Sequence, residues 1–280
     1  MTLWVLLSLA GSGLAVGFLS GLVGIGGGVL IVPLLYFFYG HPAWSGATVT
    51  PELQAVVSHA TSLFVIVPTS ALGTWTYHRV GAVAWRSALP IALFSVLAAL
   101  GGSQLAPMIP AEILKLAFGL LLLVSGFRLL RSRDGARTGR ERPHVVVGAL
   151  SGAAVGLMSA LLGVGGGIVA IPILVYLVGL PLEKVAATSM AIIVFTALAG
   201  VTGYAVSGTG EPGLPPGSIG YVHYLAGLPI LVGAMVAVGL GARVNQRLDT
   251  GRLRVLFGLL FLVLGARLAI QNVAAIPGLG

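Results

Sequence analysis

Two glycine-rich segments have the residue types and spacing to bind an anion through their backbone. Residues 24–28 read GIGGG and residues 163–167 read GVGGG, and a proline follows each segment, at Pro33 and Pro172. Glycine runs interrupt helices, and without a Cβ they let an anion reach the backbone N–H groups of the next helix. The N-terminus of such a helix carries about half a positive charge. Two such ends meeting inside the protein would bind a small anion; the alternative is that the glycines only allow close helix packing.

Hydroxyl-bearing residues follow each glycine segment at matching places. Ala-Thr-Ser triplets occur at residues 60–62 and 187–189. A hydroxyl group can donate one hydrogen bond while it accepts another, which suits an oxyanion, although such groups also join helices to one another. We expect the substrate-binding residues to be Gly24, Gly26, Gly27, Gly28, Thr61, Ser62, Gly163, Gly165, Gly166, Gly167, Thr188 and Ser189.

His59 is the titratable side chain of most interest because it lies within an apolar segment. A histidine changes charge near neutral pH, and an ionisable group inside a membrane segment points to function. The second half of the chain has Ala186 at the aligned position, so any role of His59 is confined to one half. A proton relay and a hydrogen-bonded histidine at an interface both remain open.

The composition requires that the elements carrying these residues lie in a membrane. Of 280 residues, 57% are hydrophobic and 8% are charged, and the mean hydropathy is +1.05. A soluble domain has about 25% charged residues, so this composition excludes a soluble enzyme and a free nucleic-acid-binding domain. The net charge of +8 is explained by arginine-rich loops on the cytoplasmic side of a membrane.

The chain is a tandem duplication. The offset that places Gly24 on Gly163, called the glycine offset below, also aligns the two prolines and many other glycine and serine positions. A shorter offset, the triplet offset, places Thr61 on Thr188 and aligns the two Ala-Thr-Ser triplets. Each half has four apolar blocks, and the first block of each half is too long for one span and is broken by its glycine segment. The repeats therefore predict two structurally equivalent halves.

The charged loops predict that the two halves have opposite orientations. The loop with Arg79 and Arg86 is basic, whereas the equivalent loop of the second half, 207–218, has no Lys or Arg, and the loop around Arg247 is basic instead. By the positive-inside rule, equivalent loops then face opposite sides of the membrane. Inversion needs an odd number of crossings, hence about five segments per half; the alternative is four spans per half in parallel.

The sequence thus predicts an all-α integral membrane protein of two inverted-topology repeats, each of about five helical segments with a broken or re-entrant first block. Residues 1–130 form the first repeat, 131–142 a basic cytoplasmic linker, and 143–280 the second repeat. We find no cysteine, no metalloprotease motif, no nucleotide-binding loop and no pair of intramembrane carboxylates. We therefore expect no enzymatic activity, no metal and no cofactor.

The doubled glycine–proline segments and the Ala-Thr-Ser triplets resemble the paired signatures of the sulfite exporter TauE/SafE family, which has 4-toluene sulfonate uptake permease-like members. The resemblance covers nearly the whole chain. It implies a multi-pass transporter of a bacterial inner membrane, with a sulfur-containing oxyanion such as sulfite, sulfoacetate or another organosulfonate as substrate. The sulfur chemistry of the substrate comes from this resemblance alone.

We interpret the chain as a secondary transporter that works by alternating access. The sequence has no ATP-binding motif, so transport must follow the substrate gradient or couple to an ion, and proton and sodium both remain open. The alternatives are an anion channel and a non-transporting membrane subunit that recruits a partner. The expected partners are a small anionic substrate and the lipid bilayer, not nucleic acid, and a homo-oligomer stays open.

Overall fold

Ten α-helices make up most of the described part of the protein. The computed structural model describes residues 3–41, 49–131, 145–245 and 250–273. The helices are α1 (Leu3–Val23), α2 (Gly28–Tyr39), α3 (Pro51–His78), α4 (Trp85–Leu105), α5 (Ala111–Arg131), α6 (Val145–Leu162), α7 (Gly167–Pro172), α8 (Leu182–Ser207), α9 (Tyr224–Asn245) and α10 (Thr250–Val273). A 3₁₀ turn, Ala106–Met108, follows α4, and a π-helical turn, Ile173–Leu177, continues α7.

Five of the described helices are long and apolar enough to cross a membrane, namely α1, α3, α4, α8 and α9. Large apolar side chains are exposed on the outer faces of the peripheral helices, among them Leu93 and Leu97 of α4 and Val232 and Val236 of α9. Extended apolar surface of this kind is rare on soluble proteins and suits contact with lipid. The prediction of a helical protein with several membrane-spanning segments is confirmed.

Helices α3 and α8 form the centre of the protein and are the most buried of the five long helices. Pro51 begins α3 and Pro181 immediately precedes α8, positions at which the fixed φ of proline favours helix initiation. The two helices pack against each other. In addition, α3 packs against α9 and α8 packs against α4, each of which is the fourth helix of the other half. Because these helices carry the two Ala-Thr-Ser triplets, the triplets lie in the interior.

The first helix of each half packs on the fourth helix of the other half. Gly17 of α1 lies so close to Ala234 of α9 that a Cβ would collide with its backbone, and Gly156 of α6 lies equally close to Ser95 of α4. The glycine offset aligns Gly17 with Gly156 and Ser95 with Ala234. Small residues allow this close approach of membrane helices. The halves are therefore interlocked by equivalent contacts.

Two tyrosines repeat this equivalence with hydrogen bonds. The Tyr77 hydroxyl donates to the Gly21 carbonyl at 2.8 Å, and the Tyr204 hydroxyl donates to the Ala160 carbonyl at 2.7 Å. Both side chains are fully buried, where an unpaired hydroxyl would be costly. Each bond fixes the C-terminal part of a central helix to the end of the first helix of its own half.

A short antiparallel hairpin, β1 (Ser218–Ile219) and β2 (Val222–His223), precedes α9. Strand β2 packs against α3. The basic linker lies almost wholly outside the described residues, so its predicted limits and those of the two repeats stay predictions.

Candidate functional site

The two glycine segments adopt the same backbone conformation. Gly24, Gly26 and Gly27 have φ values of 73°, 87° and 78°, and Gly163, Gly165 and Gly166 have values of 65°, 76° and 86°. Residues other than glycine rarely adopt this left-handed backbone conformation. The glycines therefore break the first block of each half into α1 and α2, and into α6 and α7, as the sequence predicts.

Each break leaves a helix N-terminus without a side-chain cap. Gly27 is the N-cap of α2 and Gly166 is the N-cap of α7, and neither helix receives a capping side-chain hydrogen bond. The first amides of a helix have no intrahelical acceptor, and most helices satisfy one of them with Ser, Thr, Asp or Asn at the N-cap. The first turns of both helices thus lack a side-chain cap, and the Leu30 and Val169 amides bond to the carbonyls of the N-cap glycines.

The two breaks pack directly against each other. A Cβ on Gly28 would collide with the Gly163 carbonyl oxygen, and a Cβ on Gly167 would collide with the carbonyl oxygen of Ile25. Beside the glycines, two isoleucines that the triplet offset aligns are fully buried, Ile66 of α3 and Ile193 of α8. Equivalent segments of the two halves thus meet in the protein interior, and the N-termini of α2 and α7 lie close together.

Two buried serines beside the breaks were not among the predicted site residues. Ser20 of α1 and Ser159 of α6 are buried, and neither hydroxyl has a hydrogen-bond partner in the described residues. A Cβ on Gly27 would lie 3.5 Å from the Ser20 hydroxyl oxygen, and a Cβ on Gly166 would lie 3.5 Å from the Ser159 Cβ. The glycine offset already pairs these serines; that pairing is the signal from which they could have been predicted.

The predicted residues Thr61 and Thr188 each hold the start of another helix. The Thr61 hydroxyl accepts a hydrogen bond from the His223 backbone N–H at 3.0 Å, and the Thr188 hydroxyl accepts one from the Ala84 backbone N–H at 3.1 Å. His223 and Ala84 each immediately precede a fourth helix, α9 and α4 respectively. Each threonine therefore has an established structural contact; Thr61 also interacts with the Tyr39 side chain, whereas Thr188 retains a proton that it can donate.

The predicted residues Ser62 and Ser189 differ in their hydrogen bonding. The Ser62 hydroxyl donates to the Gly163 carbonyl at 2.8 Å. Ser189, the aligned residue, is fully buried, and its hydroxyl has no partner among the described residues. The equivalent acceptor for Ser189 would be the carbonyl of Gly24, because the glycine offset aligns Gly24 with Gly163. The structure thus places both serines in the interior but pairs only one of them with a glycine segment.

His59 joins one glycine segment to a polar cluster. Its backbone lies against Gly163, and its Nε2 atom is 2.5 Å from the Tyr36 hydroxyl oxygen. Its Nδ1 atom has no hydrogen-bond partner among the described residues. The aligned Ala186 lies against Gly24 in the other half, so the two halves have the same packing here and different chemistry.

His223 is a strongly perturbed titratable group that lies outside the membrane helices and contacts the site. Burial lowers its pKa to about 4, and a hydrogen bond to the Pro216 backbone partly offsets this shift. Its Nδ1 atom is 2.9 Å from the Tyr39 hydroxyl oxygen. His223 is therefore neutral at physiological pH and supplies hydrogen bonds rather than charge. The described residues contain no cluster of three or more side chains suited to a metal ion.

Comparisons with known proteins agree with this architecture. The profile of the family described as sulfite exporter TauE/SafE matches residues 9–268. A probable membrane transporter protein of Methanocaldococcus jannaschii is 28% identical over 258 residues, covering 90% of this chain and 91% of the relative. Others, from Bacillus subtilis and Xylella fastidiosa (strain Temecula1), are 24% and 29% identical; the alignments cover 93% of this chain each, and 96% and 93% of the relatives.

No solved structure is significantly similar to the chain. The family match extends through both glycine segments and both Ala-Thr-Ser triplets, and the relatives align over nearly their whole length. With several apolar helices long enough to span a bilayer, the chain is a multi-pass membrane protein that belongs to the sulfite exporter TauE/SafE family of membrane transporters.

Proposed function

We propose that this protein is a secondary transporter that moves a small sulfur-containing oxyanion, such as sulfite, sulfoacetate or another organosulfonate, across the inner membrane by alternating access. The observation that carries the proposal is the meeting of two uncapped, glycine-rich helix starts, each beside a buried serine hydroxyl without a partner in the described residues. The family of the chain supports the sulfur chemistry.

The binding site in this proposal consists of backbone amides and hydroxyl groups. The N–H groups at the start of α2 and of the α7 helical run offer hydrogen bonds and partial positive charge to an oxyanion. Ser20, Ser159 and Ser189 have hydroxyl protons without acceptors in the described residues, and Thr188 retains one proton, whereas Thr61 also interacts with Tyr39. Such a site binds by hydrogen bonding rather than by a full opposite charge, so the anion can also leave.

Alternating access in this proposal is an exchange of conformations between two inverted halves. The equivalent contacts of Gly17 and Gly156 support two units built to the same plan, as inverted-repeat transporters are. The unequal serines support two states: Ser62 is bonded to Gly163, while Ser189 has no such bond. In the opposite state we expect Ser189 to form its bond and Ser62 to lose its bond. The coupling ion is proposed to be a proton, relayed by His59, or sodium.

The proposal is tested by sulfite flux into proteoliposomes that contain the purified protein. Gly27→Leu and Gly166→Leu should each abolish flux, because the added side chain fills the site and the residue has a positive φ. Since these variants could fail to fold, Ser20→Ala with Ser159→Ala gives a second test that leaves the backbone unchanged. We expect this double variant to raise the KM about tenfold, the loss of roughly 1.4 kcal/mol of binding.

The matched control is Ser8→Ala on α1, because the Ser8 hydroxyl bonds to the Val5 carbonyl within the same helix. This variant should transport like the wild type. Wild-type flux in both the leucine variants and the double serine variant would overturn the assignment of the site. A conductance far above carrier turnover would identify a channel, and a stoichiometric partner without any flux would identify a recruiting subunit.

A further inference from the structure

A polar cluster extends from one glycine segment toward one end of the protein, and its histidine and tyrosine have no counterpart at the aligned positions of the other half, whereas its lysine aligns with Arg254. Its members are His59 of α3, Tyr36 of α2 and Lys115 of α5. The alignment of the halves places Val175 opposite Tyr36 and Ala186 opposite His59. Chemistry that is present in only one of two equivalent halves is not required by the shared fold.

Contacts connect the cluster continuously. His59 packs against Gly163 and pairs with the Tyr36 hydroxyl, their ring centroids 5.8 Å apart. The Lys115 ammonium lies 5.7 Å from the centroid of the Tyr36 ring, and it donates to the Gln54 side-chain oxygen at 3.5 Å. The cluster therefore links the central glycine segments to the region where α3 and α5 begin.

Lys115 is a cation without a matching anion in this cluster. Its side chain is half-buried, and it forms no ion pair with any described carboxylate. Glu112, one turn earlier on α5, is the carboxylate that acts on it at longer range. A charge that is partly removed from water is normally paired with an opposite charge. The described carboxylates therefore leave the charge of Lys115 without a close partner.

We propose that Lys115 and the Tyr36 hydroxyl form a second anion subsite, which binds the oxyanion between the central glycine segments and one membrane face. This inference rests on the proposed function, since the transported anion supplies the negative charge that pairs with Lys115. One of the three ammonium donors is bonded to Gln54, which leaves two for the oxygen atoms of sulfite or a sulfonate. The Tyr36 hydroxyl adds a third when His59 donates to it from Nε2. His59 is a positioning residue, because its Nε2 atom pairs with the Tyr36 hydroxyl.

The test compares sulfite flux in proteoliposomes for the wild type, Lys115→Gln, Lys115→Arg and Tyr36→Phe. Lys115→Gln should raise the KM for sulfite about tenfold or more, and the increase should shrink at high salt, where charge is screened. Lys115→Arg keeps the charge and should stay within about threefold of the wild type. Tyr36→Phe removes one neutral donor and should have a smaller effect than Lys115→Gln.

The matched control is Lys184→Gln, the same charge change at an exposed lysine in the first turn of α8, and it should leave the KM unchanged. A wild-type KM in a folded Lys115→Gln protein overturns the subsite but leaves the proposed function intact. An equal KM increase in Lys115→Gln and Lys115→Arg overturns it as well, because a structural role then suffices. Absence of flux and binding for sulfite, sulfate and organosulfonates in the wild type would refute the proposed function itself.

Discussion

The two halves of the protein are alike at the glycine segments and different in some of the side chains that contact these segments. Both segments share their φ values, uncapped helix starts and adjacent serines without partners in the described residues. Beside them, however, His59 of one half corresponds to Ala186 of the other, and Ser62 is hydrogen-bonded while Ser189 is not. The halves therefore share their backbone conformation and several aligned hydroxyl groups, and they differ at individual side chains beside the segments.

The largest effect is expected where the two glycine segments touch. Gly28 and Gly167 begin helices and have no positive φ, so alanine is compatible with their own backbone. A Cβ would nevertheless collide with the opposite segment, so Gly28→Ala and Gly167→Ala should each reduce sulfite flux at least tenfold. Flux in proteoliposomes and thermal unfolding in detergent measure this effect.

Gly11→Ala is the control for both variants, because Gly11 is also helical and has open space where its Cβ would lie. It should behave like the wild type. If one of the two variants is inactive while the other transports normally, the equivalence of the segments at their contact is wrong.

A smaller effect, on stability, should distinguish the aligned residues Ser62 and Ser189. Ser62→Ala removes the donor to the buried Gly163 carbonyl and should lower stability by about 1 kcal/mol, the net value of one such hydrogen bond. Ser189→Ala removes a buried hydroxyl that has no partner in the described residues, so it should leave stability unchanged or raise it slightly. Thermal unfolding of the two variants in the same detergent gives the comparison, and equal destabilisation would contradict it.

The smallest expected effect is on the pH dependence of stability, and it distinguishes His223 from the aligned Ala84. The folded protein keeps His223 neutral down to a pKa of about 4, whereas an unfolded histidine titrates near pH 6.5. Between these values the unfolded state binds a proton that the folded state does not bind. Stability attributable to His223 should therefore decrease as the pH falls from about 6.5 to about 4.

His223→Gln keeps a polar side chain at this position and removes the titration. Its unfolding temperature should depend less on pH than that of the wild type over this interval. The aligned Ala84 cannot titrate, so the other half contributes no corresponding slope. An identical pH dependence in the variant and the wild type would show that other groups control acid stability.

Much of the fold follows from the sequence because its causes are local. The apolar composition requires a membrane, and runs of about 20 apolar residues predict the long helices. The glycines at residues 24–28 and 163–167 predict the breaks, because glycine tolerates the left-handed backbone that ends α1 and α6. The repeated spacing predicts that both halves have the same backbone conformation at these breaks.

The partners of the polar side chains could not be read from the sequence. Thr61 and Ser62 are neighbours in the chain, yet one accepts from His223 and the other donates to Gly163, and both partners belong to the second half. Only the packing of α3 against the other half determines these partners. Whether a hydroxyl is free to bind a substrate depends on such contacts, so the sequence alone does not distinguish them.

The sequence by itself determined the membrane class, the duplication, the two glycine breaks and the resemblance to the family, because each depends on residue type and spacing. The tertiary structure alone decided that the breaks meet, that Ser20 and Ser159 have hydroxyls without partners in the described residues, and that Lys115 lies beside Tyr36. The physical reason is that backbone conformation is encoded locally, whereas hydrogen-bond satisfaction and charge pairing depend on residues brought together from distant parts of the chain.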